Sequence, residues 1–205
     1  MQSAVQAHPG FPHDPASILE SLQKSQRSLT GKILLAIAAT GFVAACAHIS
    51  VPLPFTPVPI TLQTFAVILV GMVLGPAVGF SAMVLYLAEG ALGLPVFTPY
   101  SAGGIAHLFG PNGGYLFSYP LVAAVAGLVV RSMQRVTSRF RSAIVASTIA
   151  TLPIFLVGAG WLSHLLHLSI SATWTLAVAP FLLGEVVKIT AAAGIFSALQ
   201  RGQRS

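Results

Sequence analysis

The chain has 205 residues, of which 55% are hydrophobic and only 7% are charged, with a formal net charge of +6. Soluble domains carry about 25% charged residues, so this composition excludes an ordinary soluble protein. The mean hydropathy of +0.85 agrees with that exclusion. The length allows about six spans of roughly 20 residues each. We therefore predict an all-α integral membrane protein with six transmembrane helices.

The first 28 residues differ from the rest of the chain. They contain three prolines and scattered polar groups, without the short apolar core of a signal peptide. We predict that residues 1–28 form a disordered cytoplasmic lead, with a helix starting near Ala16 as an alternative for its second half. Residues 29–205 are predicted to form a single six-helix membrane domain. Cys46 is the only cysteine, so the chain has no disulfide of its own.

Six apolar runs follow the lead in chain order. They span approximately residues 33–49, 60–74, 76–94, 114–130, 142–160 and 176–199. Only Gly75 stands between the second and third runs, and Pro76 follows it, which favours a tight turn. Longer connections follow the first, third and fifth runs.

The basic residues fall in alternate connections. Lysines and arginines precede the first run, separate the fourth from the fifth, and follow the sixth, whereas the connections 48–59, 95–113 and 161–175 contain none. By the positive-inside rule, both termini of a multi-pass cell-membrane protein then lie in the cytoplasm, and the three uncharged connections face outward. The positive charge therefore reports topology rather than binding to nucleic acid.

One acid and one base, Glu185 and Lys188, interrupt the last apolar run. A charged group at the bilayer centre costs roughly 2.5 to 3.5 kcal/mol on insertion scales, so it usually has a functional reason to be there. The spacing of three places both side chains on one helical face. Lys188 is the only lysine or arginine inside a predicted span and is a candidate to bind an anion, although a structural ion pair is an alternative.

The outward connections are rich in proline and glycine. Four prolines in residues 51–59 exclude a helix there and favour a stiff, ordered lid. The next connection contains paired glycines at 103–104 and 113–114, which allow close backbone approach to a neighbour or a ligand. Irregular backbone at membrane depth is tolerated where it lines a cavity, so these connections predict a binding site at the outer face.

Small residues recur every four positions in the first run, at Ala36, Thr40 and Ala44. Such a stripe lets another helix approach closely. Packing within the chain and contact with a partner protein are both compatible with it.

Four strings, in this order, resemble the BioY family, the biotin-specific substrate-capture (S) components of energy-coupling-factor (ECF) vitamin transporters. They are residues 56–64 (TPVPITLQT), 93–97 (GLPVF), 110–115 (GPNGGY) and 184–188 (GEVVK). The likeness covers about residues 30–200 and implies six helices, cytoplasmic termini and an outer biotin pocket closed by the loops. The chain departs from the family pattern at Asn112, more often threonine, and at Glu185, more often aspartate.

The chemistry of biotin assigns roles to particular residues. Lys188 is predicted to bind the valerate carboxylate. Acceptors for the ureido N–H groups are expected from Glu185, Asn112 and Gln63. The apolar rings are expected to contact aromatic side chains. Those aromatic candidates are Phe55, Tyr86, Phe97 and Tyr115.

Partners follow from the resemblance and from what the sequence lacks. No phosphate-binding G-x-x-x-x-G-K-[ST] loop occurs, so a transmembrane T component and separate ATPases are expected to power uptake. The resemblance implies that the Ala36, Thr40 and Ala44 stripe faces that T component. Membrane lipid surrounds the chain, and the sequence leaves open whether it forms a homo-oligomer. No cofactor is expected, and two histidines, His164 and His167, make too weak a set for a metal site.

Two other functions compete with biotin capture. An S component for a different anionic vitamin fits the same lysine. An intramembrane enzyme could use Glu185 as a general acid or base, but the sequence offers no second placed carboxylate, Ser/His pair or metal cluster to support catalysis. We therefore expect a binding and transport subunit rather than an enzyme.

Overall fold

A computed structural model describes residues 15–99 and 103–201 of the chain. Within these residues the protein is built almost entirely of helices. The helices are α1 (Pro15–Ser25), α2 (Leu29–His48), α3 (Gln63–Leu74), α4 (Pro76–Ala91), α5 (Ile105–Leu108), α6 (Gly113–Met133), α7 (Arg139–Leu166), α8 (Ile170–Ala177) and α9 (Ala179–Leu199). Two short strands, β1 (Ser50–Val51) and β2 (Ile60–Thr61), pair antiparallel around the proline-rich segment, with Ser50 opposite Thr61.

Each of the six predicted apolar runs overlaps one helix. In chain order these helices are α2, α3, α4, α6, α7 and α9. The ribbon β1–β2 and the short helices α5 and α8 were not predicted. Helix α8 begins where Ser169 accepts a hydrogen bond from the Ala172 amide. It ends at Ala177, and Pro180 then occupies the first turn of α9, where its missing N–H costs nothing. Residues 1–14 of the predicted lead lie outside the described residues.

Length and hydropathy identify four segments that are able to cross a membrane. They are Leu29–His48, Gly113–Met133, Arg139–Leu166 and Ile170–Leu199, the last combining α8 and α9. Helices α3 and α4 are apolar but shorter, at 12 and 16 residues. A multi-pass helical membrane protein is therefore confirmed for the described part of the chain, with four rather than six spans established by these criteria.

Helix α3 lies at the centre of the bundle, and ten of its residues are buried. Its backbone touches that of α6, because a Cβ atom added at Gly71 would lie 2.3 Å from the Ala123 carbonyl oxygen. The absence of a side chain at Gly71 thus sets the distance between the two central helices. This pair forms the frame on which the other helices pack.

The stripe of small residues on α2 faces into the chain. Ala36 and Thr40 are buried, Ala44 is half-buried, and the Thr40 hydroxyl donates to the Glu89 carboxylate of α4 at 3.1 Å. In this conformation the small side chains let α4 approach α2. Contact between these residues and a T component stays a prediction.

The connections with and without basic residues gather at opposite ends of the bundle. At the uncharged end, the Thr56 hydroxyl donates to the Leu176 carbonyl at 2.9 Å and the Trp161 indole donates to the Gly110 carbonyl at 2.9 Å. At the basic end, the Gln134 amide donates to the Gln200 side chain at 2.9 Å. The three uncharged connections therefore meet one another at one end of the bundle.

Replacing Gly71 by alanine is expected to destabilise the protein. The added methyl group meets backbone atoms that only a shift of α6 can relieve, and overpacking of this kind typically costs about 1 to 3 kcal/mol. Gly160→Ala is the matched control, because it makes the same change in the exposed face of α7, where no atom lies within 4 Å of the new Cβ. Thermal unfolding of the purified variants in detergent measures the difference; equal melting temperatures would contradict the close approach.

Candidate functional site

A cavity of about 50 Å³ lies below the uncharged connections, between α3, α6, α7 and α9. Pockets that hold drug-sized ligands have volumes of roughly 300 to 1,000 Å³, so the wall must open further to admit such a ligand. The wall combines apolar rings with polar groups from separate elements. The lining residues are Val58, Pro59, Thr61, Gln63, Thr64, Thr98, His107, Asn112, Tyr115, Leu116, Tyr119, Ile154, Phe155, Phe181, Glu185 and Lys188.

Three polar side chains form a closed triangle in the deep wall. The Lys188 ammonium donates to the Thr64 hydroxyl at 2.9 Å and to the Glu185 carboxylate at 3.2 Å. The Thr64 hydroxyl in turn donates to the same carboxylate oxygen at 3.2 Å. The spacing of three residues on α9 brings the acid and the base together, and α3 supplies the threonine between them.

This ion pair is buried, with Lys188 7% exposed and Glu185 4% exposed. Desolvation of two charges is costly, and their mutual attraction offsets it only when the remaining hydrogen-bonding groups are satisfied. Within the described residues, two of the three ammonium donors have protein partners. The third is available to a ligand in the cavity.

The upper wall carries polar atoms without protein partners among the described residues. The Asn112 side-chain oxygen and the Thr98 hydroxyl are both buried in this way. Buried polar atoms are nearly always hydrogen-bonded in native proteins, so each such exception needs an explanation. A ligand with N–H donors and a carbonyl group would supply the missing hydrogen bonds.

Gln63 belongs to a chain of hydrogen bonds that leads out of the cavity. Its amide donates to the Tyr86 hydroxyl at 2.7 Å, and Tyr86 donates to the Val96 carbonyl at 2.7 Å. Phe97 packs edge-on against Tyr86, with ring centres 5.4 Å apart. Tyr86 and Phe97 are therefore placed behind the wall, where they hold the connection 92–99 against α4.

Tyr115 joins the cavity wall to the start of α9. Its hydroxyl donates to the Ala177 carbonyl at 2.8 Å, at the break between α8 and α9. Its ring lies against Gly158 of α7, where an added Cβ would come within 2.3 Å of a ring carbon. The glycine thus creates the space that this tyrosine occupies.

The structure brings five of the eight predicted ligand contacts to the cavity: Lys188, Glu185, Asn112, Gln63 and Tyr115. Tyr86 and Phe97 lie behind it, and Phe55 is 56% exposed on the proline-rich connection, away from the wall. Contact of any of these residues with a ligand stays a prediction.

Sequence reasoning missed several lining residues. Thr64 ends one of the four family strings and was not assigned a role, although it contacts both charged side chains. Tyr119 follows Tyr115 by four residues and so shares its helical face, a signal that was available. Phe155 and Phe181 carried no signal beyond their apolar character. No group of three or more potential metal ligands occurs among the residues described.

Comparisons with known proteins agree on one family. The model of the BioY family matches residues 19–205. A probable biotin transporter BioY of Pyrococcus horikoshii is 40% identical over 70% of this chain and 82% of its own length. The biotin transporter BioY of Thermotoga maritima is 35% identical over 79% of this chain and 91% of its own.

A solved structure shares the fold. It is the S-component for biotin from an ECF-type ABC transporter, with a TM-score of 0.75 and 26% identity, and the match covers 87% of this chain and 93% of that one. The family model spans nearly the whole chain, and the four strings noted in the sequence supply much of the cavity wall and its supports. The chain therefore belongs to the BioY family.

Proposed function

We propose that this chain captures biotin from outside the cell and delivers it to the cytoplasm as the S component of an ECF transporter. The observation that carries the proposal is a buried ammonium group in the cavity wall, with one N–H donor that has no partner among the described residues. Relatives named as biotin transporters and a structural neighbour named as an S-component for biotin support the ligand and the class. The protein acts as a binding and transport subunit, not as an enzyme.

The polarity of the cavity fits biotin lying along it. Lys188 is nine residues into α9, about 14 Å below its start at the loop end, so the valerate carboxylate binds deep in the cavity. Tyr119, Phe155 and Phe181 provide apolar surface for the fused rings. The Asn112 oxygen then accepts from the ureido group near the loops, which satisfies an otherwise unpaired acceptor.

Glu185 forms an ion pair with Lys188 rather than a contact with biotin. Its two oxygens face Lys188 and Thr64 at 3.2 Å, and Thr151 at 3.5 Å. A carboxylate so occupied neutralises the ammonium in the empty protein and lowers the cost of keeping it buried. When biotin enters, its carboxylate adds a second anion to the same ammonium.

Six spans and two cytoplasmic termini complete the proposed topology. Gln63, at the start of α3, lines the outer cavity, whereas Gly75, just after the end of α3, lies beside the Arg131 guanidinium. Helix α4 then returns until Gly90 meets the Phe97 ring. These contacts support the view that both short helices connect the same two ends as the longer helices do.

Transport requires a motor from other subunits. We expect a T component and ATPases, since the sequence has no phosphate-binding loop. Because Ala36 and Thr40 are buried here, a T component that uses them must displace α4 from α2. The loops must also release their mutual hydrogen bonds before biotin enters or leaves.

Lys188→Met is expected to weaken biotin binding about tenfold or more, because a charge-assisted hydrogen bond contributes roughly 1.5 to 3 kcal/mol. The neutral biotin amide should lose much less, since it lacks the carboxylate. Calorimetric titration of both ligands against both proteins isolates the charge interaction. The double variant Lys188→Met with Glu185→Gln is the control for misfolding, because it removes both charges and so leaves no unpaired carboxylate in the wall.

An equal loss for biotin and biotin amide would contradict the carboxylate assignment and place the lysine against another part of the vitamin. Binding of a different anionic vitamin, with none of biotin, would replace biotin as the proposed ligand while keeping the role of Lys188.

Thr64→Val is expected to weaken biotin binding several-fold, up to about tenfold, because the lysine loses the neighbour that orients it. Thr190→Val is the matched control, since Thr190 lies on the same helix as Lys188, is exposed and bonds only the Val186 carbonyl among the described residues. Equilibrium titration of the two variants compares them. Equal affinities would show that the triangle does not prepare the lysine for its ligand.

Cysteine labelling in intact cells tests the topology. In a Cys46→Ala background, an impermeant maleimide should label Phe55→Cys from outside, but Val136→Cys and Ala77→Cys only after the membrane is opened. All three positions are exposed, and Ala77 follows the turn between α3 and α4. Labelling of Ala77→Cys from outside would exclude spans by α3 and α4. Labelling of Val136→Cys from outside would reverse the proposed orientation.

A further inference from the structure

A second cavity, of about 710 Å³, opens at the basic end of the bundle, opposite the first. Helix α1 lies beside it, and α3, α6, α7 and α9 supply the rest of the wall. Its lining residues are Gln23, Gln26, Met72, Val73, Val130, Arg131, Gln134, Thr137, Ser138, Arg139, Phe140, Phe196, Ser197, Gln200 and Arg201.

The charge of this wall has one sign. Arg131, Arg139 and Arg201 line it, and no acidic residue is among the described lining residues. The pair Lys188–Glu185 is the one ion pair in the part of the chain that the structure describes, so the three arginines have no carboxylate partner there. A concave wall of this composition attracts anions, and arginine guanidinium groups match the geometry of phosphate oxygens.

Protein contacts fix two of these arginines. The Arg139 guanidinium donates to the Gln200 carbonyl at the end of α9. The Arg131 guanidinium lies against Gly75, whose φ of 82° allows the chain to turn between α3 and α4 without a side chain in the way. Preorganised donors lose less entropy on binding than mobile surface side chains do.

A polar atom independent of the arginines also indicates a ligand. Ser197 lines the cavity and is only 4% exposed, yet its hydroxyl has no hydrogen-bond partner among the described residues. A general excess of positive charge on the cytoplasmic side accounts for arginines at this end. It does not account for three of them around one cavity that also contains an unpaired buried hydroxyl.

We propose that this cavity binds the phosphate headgroup of an anionic phospholipid. The cavity lies where α3, α6 and α9 end and α7 begins, which is the cytoplasmic side in the proposed topology. Basic pockets between transmembrane helices on that side are suited to such headgroups. Its volume exceeds the need of a bare phosphate. Phe140, in the wall, is 45% exposed, and Val136 nearby is 77% exposed, which provides apolar surface for the acyl chains beside the charged site.

Binding of phosphatidylglycerol to the purified full-length protein tests this site, with native mass spectrometry as the measurement. Arg139→Gln with Arg201→Gln is expected to lower the affinity about tenfold or more. Arg135→Gln with Arg141→Gln is the control; it removes the same charge from exposed positions outside the cavity and should change the affinity less than about twofold. Zwitterionic phosphatidylcholine should bind the unmodified protein far more weakly.

Arg139 also supports the end of α9, so its replacement could unfold the protein, which a melting curve would reveal. Ser197→Ala provides a second variant, with an expected loss of several-fold and no change in charge. Equal losses in the two double variants would overturn the proposal in favour of diffuse attraction. Saturation of the site by inorganic phosphate, with no preference for lipid, would overturn the lipid as the ligand.

Discussion

The buried contact among Lys188, Glu185 and Thr64 is the constraint on which the rest of the structure depends. A charged side chain in the membrane needs an opposite charge or hydrogen-bonding groups beside it, because lipid offers nothing to solvate it. The match requires α3 and α9 to be neighbours at one depth, which fixes the centre of the bundle. The proposed binding of a carboxylate in the adjacent cavity depends on this arrangement.

Polarity is divided along the axis of the molecule. The end below the uncharged connections combines one neutralised ion pair with buried polar atoms that lack a partner among the described residues. The basic end has arginines that lack a carboxylate partner in that part of the chain. In the proposed topology, an anion that leaves the deep wall would therefore face an attractive potential on the cytoplasmic side. The same charges that orient the chain in the membrane would also favour inward movement of a carboxylate.

Much of this arrangement could be predicted from the sequence. Lys188 was evident because a charge in an apolar run is costly, and the helices followed from runs of apolar residues. The aromatic contacts were harder, since an irregular connection has no periodicity that tells which way Phe55 turns. Tyr86 and Phe97 lie behind the cavity wall, and no local pattern indicates this position, because it depends on hydrogen bonds between distant segments. The basic cavity required the packing of five helices and had no local signal.

The uncharged connections are held mainly through their carbonyl groups. Four side-chain donors bind main-chain oxygens there: Thr56 binds Leu176, Tyr86 binds Val96, Tyr115 binds Ala177, and Trp161 binds Gly110. A carbonyl is present whatever the side chain, so the accepting positions are free to vary over evolution as long as the path of the backbone is kept. Substitutions at the accepting positions would then leave the four hydrogen bonds, and the shape of the loops above the cavity, unchanged.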